Sequence, residues 1–180
     1  VYEAVNACIL LLGQVDGSEV ISVEDLATDE GLHPIQEAMV SHHGSQCGFC
    51  TPGFVMSLLA LSHEKHATLD RDHINDALAG NLCRCTGYKP IIAAALESCA
   101  SPKPDQFDAR ERATLAALAQ FRANEDVFMG SSESFFAAPG SEASLAFLMK
   151  THPGATILAG ATDVGLWITK GLQDLNKLIW

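Results

Sequence analysis

The pattern of apolar and polar positions changes character twice along the chain. Residues 9–23 place "ILLLGQV" and "EVISV" on either side of Asp16, Gly17 and Ser18. An Asp-Gly turn between apolar runs predicts a β-hairpin. Residues 2–7 read as the end of a helix leading into Cys8. A lone hairpin is marginal in water, so this pattern predicts part of a larger sheet that begins before Val1.

Residues 33–99 then predict four short helices. Pro34 sits at a first-turn position, and Gly44 is placed to stop that helix in a left-handed cap. Pro52 opens the second, with Phe54, Val55, Leu58, Leu59 and Leu61 as its apolar positions. Thr68 or Asp70 caps the third, Gly80 ends it, and Pro90 opens the fourth.

Residues 100–107, "ASPKPDQF", form a proline-broken linker, and Asp108 to Arg122 predicts a bridging helix. From about Val127 the pattern becomes α/β. Ser141 caps a helix, "ATILAG" reads as a buried strand, "GATDVG" as a glycine-bracketed turn before a short helix, and "KLIW" as a strand cut at its start. The predicted divisions are 1–26, 27–99, 100–126 and 127–180.

Composition narrows the function classes. The chain has 180 residues, 48% of them hydrophobic, which suits a packed core and excludes wholesale disorder. Eleven basic residues against 22 acidic ones give a net charge of −11. Such a surface repels phosphate backbones, so nucleic acid is not an expected partner. The longest apolar run, in "ACILLLG", is strand-sized, so no membrane span is expected. Neither a starting methionine nor a signal peptide is present, and the pattern opens in mid-element, as in a chain cut at both ends.

The sharpest signal is the cysteines. "GSQCGFCTPG" carries Cys47 and Cys50, and "NLCRCTGY" carries Cys83 and Cys85 after 32 intervening residues. Predicted helix starts follow both pairs, at Pro52 and Pro90, so two helix N-termini point toward one place. Four thiolates suit a tetrahedral zinc or an iron–sulfur cluster, with a disulfide as the third possibility. Zinc sites commonly use C-x2-C twice. The tighter C-x-C, the glycines at 44, 48, 53 and 87 and the cation Arg84 lean toward iron and sulfide, with one thiol pair from each motif at either end. Cys99, in "LESCA", has no partner motif and reads as structural.

These two motifs resemble the helical [2Fe–2S] domain of the xanthine dehydrogenase and aldehyde oxidase family of molybdenum hydroxylases. "VNACILLLGQVDGSEVISVEDLA" resembles the end of the family's plant-type ferredoxin domain, and "ATILAGATDVGLWITK" the start of its FAD-binding domain. The resemblance implies an α+β multidomain chain: a β-grasp ferredoxin remnant, a four-helix [2Fe–2S]-binding domain and the beginning of an α/β FAD domain. It implies Cys47, Cys50, Cys83 and Cys85 as cluster ligands, and Cys8 as the fourth ligand of a second [2Fe–2S] cluster whose other three cysteines would precede Val1. Gln46 would lie at the edge of the molybdopterin site of a partner subunit.

Residues Ile157, Leu158, Ala159, Gly160, Ala161, Thr162, Asp163 and Val164 would form the FAD loop. Exposed N–H groups on a glycine turn and the Thr162 hydroxyl suit a pyrophosphate, whereas Asp163, an anion, suits a structural or ribose-side role. The implied activity is electron transfer in a cytoplasmic enzyme. A purine is hydroxylated at molybdenum in the large, molybdopterin-binding subunit, and electrons pass through [2Fe–2S] clusters to FAD and then NAD. The alternatives are the same module in an aldehyde, carbon monoxide or nicotinate-type dehydrogenase, or a zinc-stabilised interaction module. His42, His43, His63 and His66 read as solvated helix-end residues with no assigned role.

Overall fold

Prolines and aspartates set the helix starts in the computed structural model, which describes residues 1–64, 69–100, 102–121 and 125–180. The chain divides into two units. Val1–Ala4 and Ile21–Glu111 make the first, and Val5–Val20 and Arg112–Trp180 the second.

In the first unit, α1 spans Pro34–Ser41, α2 Thr51–Ser62, α3 Arg71–Ala77 and α4 Lys89–Cys99. These are the four helices expected between residues 33 and 99. Pro34, Pro52 and Pro90 each lie in a first turn, where the missing N–H costs nothing. Asp70 caps α3, its Oδ1 accepting from the N–H groups of Asp72 and His73, both at 3.0 Å. Thr68, the other expected cap, lies outside the described residues, as does His66.

Helix α1 ends differently from the expectation. His43, not Gly44, takes the left-handed conformation, at φ 55°. His43 N–H donates to Val40 O at 3.1 Å and Gly44 N–H to Met39 O at 2.8 Å, a Schellman closure. Gly44 is required by space instead, because a Cβ there would meet Met39 Sδ at 2.7 Å.

Helix α2 is the centre of this unit. Phe54, Val55, Ser57, Leu58, Leu59, Ala60 and Leu61 are buried, so it is covered on nearly every side. Ile35 and Met39 of α1, Ile74 of α3 and Ile91, Ala94 and Ala95 of α4 pack with it, closed by Leu26 and Phe107. Each large apolar side chain buried in this way contributes roughly 1.5–3 kcal/mol. Cys99 is buried here too, its thiol donating to Leu58 O at 3.5 Å.

The next helix, α5, spans Gln106–Leu118 and so starts within the expected linker. Asp105 caps it: Oδ1 accepts from Phe107 N–H at 2.8 Å and Asp108 N–H at 3.1 Å. Asp108 returns the bond, accepting from Asp105 N–H at 2.9 Å. The expected helix end at Arg122 lies outside the described residues.

In the second unit, β1 (Val127–Gly130) and β2 (Phe135–Ala138) form an antiparallel hairpin. Helix α6 (Glu142–Thr151), strand β3 (Thr156–Ile157), helix α7 (Val164–Thr169) and strand β4 (Lys177–Ile179) follow. Sheet order is β1-β2-β4-β3, with β4 parallel to both neighbours. Ser141 caps α6 as expected, accepting from Ser144 N–H at 3.1 Å. Phe135, Ala137 and Ile179 form the sheet's core against Leu145, Leu148 and Ala155.

Three expectations are corrected. Residues 9–23 form no hairpin. Leu12–Val15 is a 3₁₀ turn, and only the Gly17 bend (φ 67°) survives. Local bonds hold this segment instead: Gln14 N–H donates to Leu11 O at 2.9 Å, and Gln14 Oε1 accepts from Leu11 N–H at 3.1 Å. Residues 2–7 are not helical. The "ATILAG" strand is two residues long and its Ile157 is exposed, because β3 lies at the sheet edge. Among the described residues, no helix is long and apolar enough to cross a membrane.

Candidate metal centre

The two cysteine motifs come together because each ends in a helix rooted in one core. Cys50 is itself the N-cap of α2, with Phe54 N–H donating to its carbonyl at 3.3 Å. Tyr88 is the N-cap of α4, at φ 68°. Between the helices, Asn81 locks the second motif onto α2. Its Nδ2 donates to Ser57 Oγ at 2.8 Å, and its Oδ1 lies where a Cβ on Gly53 would stand. Phe54 and Tyr88 meet edge to face, ring centroids 6.2 Å apart.

The four thiols pair across the motifs rather than within them. Cys47 and Cys85 interact thiol to thiol, and so do Cys50 and Cys83. This corrects the expectation of one thiol pair per motif. A backbone turn of two or three residues splays its own sulfurs, whereas the packing of α2 against α4 brings opposite sulfurs face to face.

Cys47 and Cys85 are exposed, Cys50 is half-buried and Cys83 is buried. Cys83 has the most polar support. Its Sγ lies 3.1 Å from Thr86 Oγ1 and accepts from Thr86 N–H at 3.5 Å, while its own N–H donates to Tyr88 Oη at 3.0 Å. Thr86 Oγ1 in turn accepts from Tyr88 N–H at 3.2 Å, which leaves the hydroxyl proton for the sulfur.

Donors to a thiolate stabilise the charged form. The Thr86 hydroxyl and N–H, with the Cys85 N–H, bring the Cys83 thiol down to about 7. The Phe49 N–H and the Cys85 thiol lower that of Cys47. Cys50 is pushed up by burial and by Cys83, and Cys85 by its contact with Cys47. Within each pair, one thiol is shifted down and the other up.

The spacing of the sulfurs tests which group they fit. Among the described residues, no three of these sulfurs lie within 4.8 Å of one another. A tetrahedral zinc at about 2.3 Å from each would hold all four sulfurs about 3.8 Å apart. Two cross-motif pairs suit a two-iron cluster, in which each iron would take one pair. Gly48 and Gly87, at φ 84° and 68°, give the loops a conformation that side chains with a Cβ resist.

The other expected site residues lie elsewhere. Gln46 is exposed at the bend before Cys47. Cys8 is exposed and belongs to the second unit. The 157–164 segment is the β3–α7 connection of that unit. Leu158 and Ala161 are buried and Ala159, Gly160, Thr162 and Asp163 are exposed, with Ala161 at φ 56°. Gly165 follows where a Cβ would meet Ile9 O at 2.3 Å.

His63 is not solvated, which corrects the expectation for it: its ring is packed on Tyr2 at 4.2 Å and bonded to Asp105. Thr86, Tyr88 and Asn81 were missed as site residues, although "CTGY" directly after the last ligand-spaced cysteine was the signal available.

This arrangement suits an iron–sulfur domain, and residues 22–96 match the family described as the [2Fe-2S] binding domain. Over 95 residues the chain is 56% identical to Xanthine dehydrogenase 2 of Arabidopsis thaliana, a stretch covering 52% of this chain and 7% of that protein. Over 96 residues it is 50% identical to Aldehyde oxidase 1 of Oryctolagus cuniculus, covering 53% and 7%. Among solved structures, quinoline 2-oxidoreductase from Pseudomonas putida 86 matches at 32% identity and a TM-score of 0.39, covering 57% of this chain and 54% of that one. The expected kinship with xanthine dehydrogenases and aldehyde oxidases thus holds over this domain, and the chain spans a small fraction of the curated relatives' length.

Proposed function

We propose that this chain is an electron-transfer module of a xanthine dehydrogenase-type molybdenum hydroxylase, holding a [2Fe–2S] cluster on Cys47, Cys50, Cys83 and Cys85. The observation that carries the reading is the convergence of four thiols as two cross-motif pairs. Each iron then takes one thiolate from each motif, Cys47 with Cys85 and Cys50 with Cys83. Such a cluster supplies one-electron transfer when bound.

The chain's own residues set where it sits and how readily it is loaded. Thr86 and the Cys85 N–H favour the thiolate form of Cys83, and the α2 and α4 N-termini and Arg84 favour a negative site. The exposed Cys47 and Cys85 mark the side open to a redox partner.

In the complete cytoplasmic enzyme, a purine is hydroxylated at a molybdopterin centre in a large partner subunit, and FAD and NAD accept the electrons. Within this reading, Gln46 faces the molybdopterin, Cys8 is a ligand of a second [2Fe–2S] cluster, and residues 157–164 begin the FAD site. Residues 1–26 are then a ferredoxin remnant and 127–180 the start of the FAD-binding domain. The visible spectrum of the purified chain, with iron and acid-labile sulfide analysis, tests the core of the reading. Two irons and two sulfides per chain are expected, and a colourless zinc protein would overturn it.

A further inference from the structure

A second group of metal-ligating side chains lies at the start of α5. Asp105 has no coordination capacity left. Its Oδ1 accepts two backbone N–H groups, from Phe107 and Asp108, and its Oδ2 accepts from His33 Nε2 at 2.9 Å and His63 Nε2 at 3.1 Å. His33 has no lone pair free, because its Nδ1 accepts from Ile35 N–H at 3.3 Å.

His63 differs. With its Nε2–H committed to Asp105, the ring brings Nδ1 to 3.6 Å from Asp108 Oδ1. That separation is too long for a hydrogen bond, and in the tautomer protonated only at Nε2 both atoms are acceptors. The His63 side chain is only 9% exposed, held by stacking on Tyr2 and by an edge-on contact with Phe107. A cavity of about 400 Å³ opens on this corner, with His33, Glu64, Lys103 and Asp105 also in its wall. Donor atoms of His63, Asp105 and Asp108 lie within 4.8 Å of one another.

We propose that this corner binds a divalent transition-metal ion of the zinc class, with His63 Nδ1 and Asp108 Oδ1 as protein ligands and cavity water completing the shell. Asp105 is the positioning residue. It accepts the hydrogen bond from Nε2–H, which fixes the tautomer and raises the basicity of Nδ1, the carboxylate–histidine–metal arrangement. The bound ion would tie the end of α2 to the first turn of α5. The site uses none of the four clustered cysteines and stands independently of them.

The test is zinc titration calorimetry on the iron–sulfur-loaded chain, with visible absorbance followed so that any displacement of iron is seen. One zinc per chain with the visible bands unchanged is expected. Asp108→Asn should bind about tenfold or more weakly, and Asp105→Asn likewise. Asp108→Asn should fold as the parent does, since its amide oxygen can still accept from Asp105 N–H and its amide NH2 can donate to His63 Nδ1. Nitrogen NMR of His63 should show an unprotonated Nδ1 that shifts with zinc. Equal affinity in the parent and Asp108→Asn, absence of binding, or a doubly protonated ring unmoved by zinc would overturn the proposal.

Discussion

Truncating Phe54 to alanine tests whether the core of α2 holds the second cysteine motif in place. Phe54 is fully buried among α1, α3 and α4, and its ring meets Tyr88 edge to face. Tyr88 Oη in turn accepts from Cys83 N–H at 3.0 Å. Removing a buried phenyl costs about 3–5 kcal/mol in transfer and cavity terms. About 0.5–1.5 kcal/mol of the original packing is the aromatic pair itself. The first unit, on the order of 100 residues, has about 5–15 kcal/mol to lose. A melting shift of about 12–40 °C follows at roughly 4–8 °C per kcal/mol. Phe54→Leu, which keeps most of the volume, should cost roughly 1–2 kcal/mol. Far-ultraviolet circular dichroism reads the helical unit. Tryptophan fluorescence reads the second unit, which contains both Trp167 and Trp180, and should move little. Iron retention on desalting should fall in Phe54→Ala and not in Phe54→Leu. A loss of less than about 1 kcal/mol, or undiminished iron binding in a destabilised Phe54→Ala, would refute this route from core to loop.

Other substitutions probe the remaining claims. Cys83→Ser should lose the iron, while Cys99→Ser, a buried thiol bonded to Leu58 O, should keep it and cost only stability; iron analysis decides. Thr86→Val removes the hydroxyl that supports the Cys83 sulfur, so in the metal-free chain that thiol should titrate above its present value of about 7. The pH dependence of alkylation at Cys83 reads the change, and an unshifted profile would contradict the assigned cause. Burial raises the Asp105 carboxyl, but the His33 bond and the Asp108 and Phe107 N–H groups outweigh it, and its value lies below the usual one. Its contribution to stability is therefore complete above the unfolded value of about 4 and is lost as pH falls through the lower folded value. Denaturant melts should show that acid loss in the parent chain and a smaller one in Asp105→Asn.

Much of the helical unit was legible because its signals act within a few residues. A proline in a first turn, an aspartate at an N-cap and the four-residue reach of a backbone hydrogen bond place α1 to α4 without reference to anything distant. The cysteine spacings were legible for the same reason. The hairpin over residues 9–23 was misread because a strand's partner is not local. Its apolar runs and Asp-Gly turn were real, but Gln14 and Leu11 satisfied one another within a single turn. Gly44 was misread because a glycine after a helix has two uses, and only the position of Met39 shows that space rather than φ is the constraint.

By itself, then, the sequence determined where helices begin, and it predicted that four thiols and two helix starts share one place. Tertiary structure alone decided which thiols meet, because Cys47 and Cys85 are joined only through the packing of α2 on α4. It alone decided that His33, His63 and Asp105 meet: 72 and 42 residues separate the histidines from the aspartate, and no periodicity spans such distances. Backbone preferences fix a residue's neighbours along the chain. The partners of a buried polar group are fixed by what the core brings beside it, because a donor or acceptor withdrawn from water must find its complement wherever the packing supplies one.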